Sequence, residues 1–324
     1  MKFKRENYLD TVAGVFIIIV ITSHIFQYCN YNDNCYYDFF YEKFLYFYMP
    51  WFFFKSGLFH NSTTNVKTII IKEYKRLIVP YIFFSLLGYI FYCIRLIIAA
   101  DFNITHYFIT PIKDIIYAGA VSSNLPLWFL LSFFGVKCIT ATTNNTNSSI
   151  YPLLLTILSL IIAITSANLK NIPYWIGNIN SGIFFYMMGH FFRQLQLKPI
   201  IAVCSLILYI TLVVYNPSYV DMRSNSIIIG NYIVWLIGSI TGIISINNIF
   251  TRIKYSNILL YIGRNSMSYY TMHWIILYII KTFTILIPIN NNILLFIMFV
   301  SCIIFLPKLN TFFSNPKRVF LIGK

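Results

Sequence analysis

Six ionisable side chains stand inside or at the ends of long apolar runs of this chain: Asp10, His24, Lys55, Arg95, His190 and His273. In hydrocarbon such a group is costly, usually faces the bundle interior, and marks function by default. Imidazole is the usual general base near neutral pH, and a hydroxyl attacks a carbonyl only once a base takes its proton. His24 is therefore a candidate base; the alternative is a satisfied histidine at the outer interface. Asp10 lies fourteen residues earlier in the same run, ~21 Å along a helix axis. A carboxylate there suits a helix cap and the positive end of the helix dipole. Lys55 follows Trp51-Phe52-Phe53-Phe54 and precedes Ser56-Gly57. It reads either as a snorkelling lysine or as a cation for an anionic group. Arg95 reads as an interfacial anchor. His190 and His273 are candidates with core or interface packing as the alternative, His273 lying in the aromatic run Tyr269-Tyr270-Thr271-Met272-His273-Trp274.

These groups need elements to hold them. The 324 residues are 58% hydrophobic and 10% charged, against about 25% charged in a soluble domain. Too few charges remain to cover a soluble surface. The 31 Phe, 26 Tyr and 5 Trp exclude disorder. Length and six scattered cysteines exclude a disulfide-held mini-protein. Runs long enough to cross a bilayer are Leu9–Gln27, Phe44–Phe59, Leu77–Leu96, Leu125–Ala141, Ile150–Ala167, Ile179–Leu195, Ile200–Tyr215, Ser226–Ile246, Ser266–Ile285 and Asn292–Leu306. The 24 Lys and Arg outnumber the 9 Asp and Glu. In a soluble protein that excess would suggest nucleic acid. With a cytoplasmic N-terminus, only Lys43, Lys113, Lys170, Arg223 and Lys281 fall outside, and Lys55 and Arg95 fall within spans. Every other basic residue is inside, as the positive-inside rule requires. The expectation is an all-α polytopic transmembrane bundle of about ten helices. It forms one integral-membrane domain over residues 1–324, with both termini cytoplasmic and no nucleic-acid partner. Residues 1–29 lack a small-residue cleavage site and are interrupted by His24, so they read as a retained first helix.

The basic stretch Lys67–Arg76, with Lys72, Lys75 and Arg76, suits either an acidic lipid surface or the phosphates of a nucleotide-like donor. Cys29 and Cys35 leave a disulfide and two free thiols equally open. Walker, GxSxG and HExxH motifs are absent, and no metal site is expected. Taken alone, the residues do not name a reaction.

A resemblance adds one. Leu9-Asp10-Thr11-Val12-Ala13-Gly14, an apolar run and His24 resemble the first-helix signature of the membrane acyltransferase-3 family. In order along the chain, further segments are similar to that family: Trp51–Gly57, Lys72–Tyr81, Leu125–Leu130, Phe184–Arg193 and Tyr261–His273. The nearest flavour is the branch related to fucose and polysaccharide O-acetyltransferases. The resemblance implies acyl transfer from acetyl-CoA, a substrate rather than a bound cofactor, to a hydroxyl of a glycan or lipid-linked sugar. It implies a multi-pass protein of the bacterial cytoplasmic (inner) membrane. His24 would be the general base and Asp10 would organise the cytoplasmic entrance. Lys55, Lys72, Lys75 and Arg76 would hold the donor. Ser56, Trp128, Asn265, Tyr269 and His273 would contact substrate, with Trp51, Phe53 and Tyr270 adding an aromatic wall. Two positions depart from the family pattern. Ala13 stands where many relatives carry Arg or Lys, so another cation, Lys55 or Arg76, must substitute. Glu73 stands where a basic residue is common.

Two other functions remain open from sequence. A glycan polymerase or flippase would have long Arg-bearing external loops, whereas Ile97–Asn124 carries only Lys113. A small-molecule transporter would show an inverted repeat, and none is visible between the halves.

Overall fold

The computed structural model describes residues 6–31, 43–61, 63–144, 150–169, 171–193 and 199–323. The chain is a multi-pass, all-α membrane protein. Helix α1 spans Asn7–Tyr28 and α2 spans Tyr48–Leu58. Helix α3 (Val66–Glu73) passes through a π-helical turn (Tyr74–Ile78) into α4 (Val79–Ile98). The π turn ends two residues before Pro80, which has no N–H to offer the Arg76 carbonyl, so the helical ladder shifts register there. Helix α5 is Ile104–Ala118; a 3-10 segment (Ser122–Leu127) leads into α6 (Trp128–Ala141). Then come α7 (Ile150–Ala167), α8 (Tyr174–Phe192), α9 (Pro199–Tyr215), a short antiparallel hairpin of β1 (Tyr219–Asp221) and β2 (Ser226–Ile229), and α10 (Tyr232–Arg252). Helices α11 (Asn257–Arg264), α12 (Ser266–Phe283) and α13 (Asn291–Phe313) complete the order, followed by a 3-10 turn at Val319–Ile322. Among the described residues, six helical stretches are long and apolar enough to cross a membrane: Asn7–Tyr28, Val66–Ile98, Ile104–Ala141, Ile150–Ala167, Tyr232–Arg252 and Asn291–Phe313. Helix α9 is apolar but shorter.

Three expectations need adjusting. The span expected over Ser226–Ile246 begins instead as strand β2; Gly230, at φ +70°, breaks the chain, and α10 starts at Tyr232 with the Asn231 side chain accepting from the Ile233 N–H. Ile227-Ile228-Ile229 has the hydropathy of a span but the β-branched stiffness of a strand. The run Phe44–Phe59 yields only the 11-residue α2, roughly 16 Å long. The stretch expected as an external loop holds α5, capped by Asn103 and stopped at Gly119 in the left-handed region. Cys35 lies outside the described residues. Cys29 is buried, its thiol 3.9 Å from Met298 Sδ.

The chain forms two compact units. The first contains the opening turns of α1, α2, the start of α3, most of α6, and α7 through α11. Within it α2 and α8 pack backbone to backbone: a Cβ at Gly57 would collide with the Tyr186 carbonyl, and one at Gly189 with the Phe54 carbonyl. Helices α1 and α11 cross in the same way, at Gly14 against Leu259 and Gly263 against Asp10. Small residues at such crossings let main chains approach where hydrophobic exclusion offers no drive. The hairpin turn is held by Asn225, whose Nδ2 donates to the Ala163 carbonyl (2.7 Å) and Ser166 Oγ (3.0 Å). Its Oδ1 accepts from Ser181 Oγ (2.7 Å) and Tyr232 Oη (3.1 Å). Gly177 leaves the space this side chain fills.

The second unit contains the rest of α1, the π turn, α4, α5, the 3-10 segment, the first turn of α6, and α12 onward. Helix α12 is its centre, buried on most of its circumference from Ser268 to Tyr278. It packs against α13, α4 and the 3-10 segment. Asn124 Nδ2 donates to the Thr271 carbonyl (3.4 Å), and the Tyr270 hydroxyl donates to the Pro126 carbonyl. Outward faces stay apolar: Leu86 and Ile90 on α4, and Phe296 and Ile303 on α13, are each more than half exposed, as lipid-facing side chains should be.

Candidate functional site: a histidine pair and its cleft

Helix periodicity assembles the first part of the site. Asn265, Tyr269 and His273 recur every four residues and so share a face leading along α12. His273 is fully buried. Its Nδ1 lies 3.1 Å from the Tyr269 carbonyl oxygen, one turn earlier. A carbonyl only accepts, so Nδ1 carries the proton and Nε2 the lone pair. His24 Nδ1 lies 2.9 Å from that Nε2. The ring planes are 4° apart with centroids at 5.2 Å, which places the hydrogen bond close to the plane of both rings. His24 therefore donates from Nδ1, and its own lone pair sits on Nε2. The chain of bonds from the Tyr269 carbonyl through His273 thus selects the basic tautomer of His24. Trp274 packs edge-on against the His24 ring, with centroids 4.8 Å apart, and limits its rotation.

One turn beyond His24, on the same face of α1, Gln27 and Tyr28 line a cleft of about 380 Å³. Tyr92 and Arg95 of α4, Ser122, and Trp274 and Tyr278 of α12 complete most of its wall. The Arg95 guanidinium sits over the Tyr278 ring at 5.3 Å. Arg95 thus belongs to a cleft rather than serving only as an anchor at a helix end. Tyr28, Tyr92, Trp274 and Tyr278 were not singled out from sequence. Aromatic residues are too common in this chain to signal a site by type, and only their convergence does so.

The first unit holds Asp10, which is 1% exposed. Its carboxylate meets Lys55 Nζ at 3.1 Å and Arg264 Nε at 3.5 Å. Lys55 also donates to the Leu9 carbonyl (3.2 Å) and lies over the Trp51 ring. Arg264 is delivered by the Gly14–Gly263 crossing and donates to Asn7 Oδ1 (3.0 Å) as well. The sequence singled out Asp10 and Lys55 separately; Arg264 was missed because it ends an eight-residue helix whose apolar run is too short to be read as a span. Asp10 and His24 share α1 but are given different partners. Lys72, Lys75 and Arg76 are exposed, with Arg76 3.6 Å from Glu73. Ser56 is half-buried on α2, and Trp128 is buried at the start of α6, outside the cleft lining.

A second polar cluster in the first unit surrounds His190, which the sequence singled out, and adds His60, Tyr186 and Lys137, which it did not. His60, just past the end of α2, accepts or donates at Nδ1 with Tyr186 Oη (3.0 Å), and Lys137 Nζ donates to that same hydroxyl (3.2 Å). Arg193 donates to the His60 carbonyl (2.7 Å), and the His190 ring lies 4.7 Å from that of His60. Burial foremost, then the neighbouring His190, Lys137 and Arg193, push the His60 pKa down to about 3.

Comparison with known proteins gives one finding. The family model described as an acyltransferase domain matches residues 6–307, which includes Asp10, His24, the cleft residues and His273. No curated protein and no solved structure matches the chain. The matched region runs through both units and is essentially the whole chain. The chain therefore belongs to the membrane acyltransferase-3 family and is a multi-pass membrane enzyme that transfers acyl groups other than aminoacyl groups.

Proposed function

We propose that this enzyme moves an acetyl group from acetyl-CoA to a hydroxyl of a cell-surface sugar, with His24 as general base. The observation that carries this reading is the His24–His273 pair, whose hydrogen bonds set the lone pair on His24 Nε2. In the step, His24 Nε2 takes the acceptor hydroxyl proton as the oxygen forms its bond to the thioester carbonyl carbon. The tetrahedral adduct then collapses, the C–S bond breaks, and the imidazolium returns the proton to the leaving CoA thiolate. As His24 becomes cationic, the hydrogen bond to His273 and on to the Tyr269 carbonyl stabilises it.

Asp10 acts away from the reacting atoms, as the counter-charge that fixes Lys55 and Arg264. Lys55 binds the Leu9 carbonyl, one helical turn before Ala13. A cation thus reaches α1 from α2 in place of one at position 13. The exposed Lys72, Lys75 and Arg76 suit the CoA phosphates, which Arg grips bidentately. The acceptor is a glycan or lipid-linked sugar at a bacterial cytoplasmic membrane.

The test is a mass comparison of surface glycan from cells carrying the wild type, His24→Ala, or no enzyme. The reading expects a base-labile acetyl increment with the wild type only, while the membrane-inserted variant lacks it. A change in glycan length without any acyl increment would contradict it.

A further inference from the structure

The cleft beside His24 has a composition that generic packing does not require. Four aromatic rings line it, Tyr28, Tyr92, Trp274 and Tyr278, together with one formal charge, that of Arg95. No carboxylate is among the lining residues, and among the described residues none forms an ion pair with Arg95. A cation in an apolar helix is retained for a purpose. Tyr278 supports the guanidinium by its ring face, which pre-organises the planar fork at little entropic cost. Other charges stand near the lining: Lys281, one turn past Tyr278 on α12, donates to the Tyr28 carbonyl at 2.9 Å, and the Asp114 and Asp101 carboxylates act electrostatically on Tyr92.

We propose that this cleft is the acceptor subsite and that it takes an anionic sugar, with Arg95 gripping the carboxylate or phosphate while the aromatic walls cover the ring faces. This rests on the reading of His24 as the base. Its volume, about 380 Å³, lies near the lower end of ligand pockets and suits one sugar ring with its substituent rather than an extended oligosaccharide. The Trp274 ring contacts both His24 and Tyr28, at 4.8 and 4.9 Å between centroids. A ring seated on this wall therefore presents its hydroxyls towards His24. An anchored anion fixes which hydroxyl arrives, so Arg95 sets both substrate class and regiochemistry.

The experiment is equilibrium binding to the full chain in neutral-lipid nanodiscs, followed by tryptophan fluorescence. The probes are methyl glucuronide, glucose 1-phosphate and methyl glucoside; the proteins are the wild type, Arg95→Gln and Arg95→Lys. A charge-assisted bidentate contact predicts that at least one anionic sugar binds the wild type about tenfold or more tighter than the neutral glycoside. Which of the two does so separates a sugar acid from a sugar phosphate. Arg95→Gln should erase the preference, and Arg95→Lys, which keeps charge without the fork, should retain part of it even if the glutamine variant folds poorly. Equal binding of neutral and anionic probes, or a preference that survives Arg95→Gln, would overturn the assignment. Acetyl transfer is assayed separately. Binding preference without transfer would count against the catalytic reading alone, and transfer without preference against the anionic subsite alone.

Discussion

A neutral imidazole is a useful base only when its lone pair lies on the nitrogen that faces the substrate, so the proposed role of His24 depends on the bond from its Nδ1 to His273. His273 accepts from His24 Nδ1 because its own Nδ1–H is committed to the Tyr269 carbonyl. Sequence made His273 a substrate contact; its burial and its bond to His24 support the proposal that it positions His24. Gln at 273 retains an acceptor for the His24 N–H, and Leu does not. Transfer assays should therefore rank wild type above His273→Gln above His273→Leu, with kcat falling about tenfold or more in the leucine variant while KM holds. Equal rates for Gln and Leu would show that the bond does not matter. Asp10 invites a different test. Its carboxylate is buried against Lys55, itself 18% exposed, and Arg264, 51% exposed. Asp10→Asn strands the Lys55 charge and should cost about 1–3 kcal/mol in thermal melts. Arg264→Ala, at the exposed end, should cost less than about 1 kcal/mol.

Elements carry these residues to their places through close approaches that composition does not announce. Gly57 and Gly189 let α2 and α8 touch main chain to main chain. Gly57→Val should destabilise by roughly 1–3 kcal/mol or more, because the obstacle is the rigid Tyr186 backbone rather than a movable side chain. A variant that melts with the wild type would remove that crossing from the account. His60, at the end of α2, adds a pH dependence. Its folded pKa, about 3, lies below the ordinary value of 6.5. Between those values the unfolded chain binds a proton that the folded chain refuses. Stability is therefore complete above about pH 6.5 and falls as pH drops towards 3. His60→Asn should flatten that part of the stability curve; an unchanged slope would assign it to other groups. Apolar length located most helices, since a run such as Leu9–Gln27 admits few other structures in a membrane. It failed at Ser226–Ile229 because hydropathy does not separate a β-branched strand from a helix start. It missed α5 because Pro111, Lys113 and Asp114 interrupt the apolar run.

At the scale of the molecule, the deficit of charge and the ordered motifs made membrane class and family legible. The family match over residues 6–307 agrees with both. The site was legible only in pieces. His24 and His273 are 249 positions apart, and no local spacing rule joins residues at that separation. Arg95, Tyr92 and Tyr278 become a cleft only when α4 and α12 lie side by side. What the whole chain accomplishes is best tested by single-turnover transfer of labelled acetyl from acetyl-CoA, comparing purified wild type with His24→Ala of matched melting temperature. General-base catalysis predicts a loss of about 10²–10⁴-fold in the variant. Transfer by His24→Ala at a rate close to that of the wild type would contradict the account.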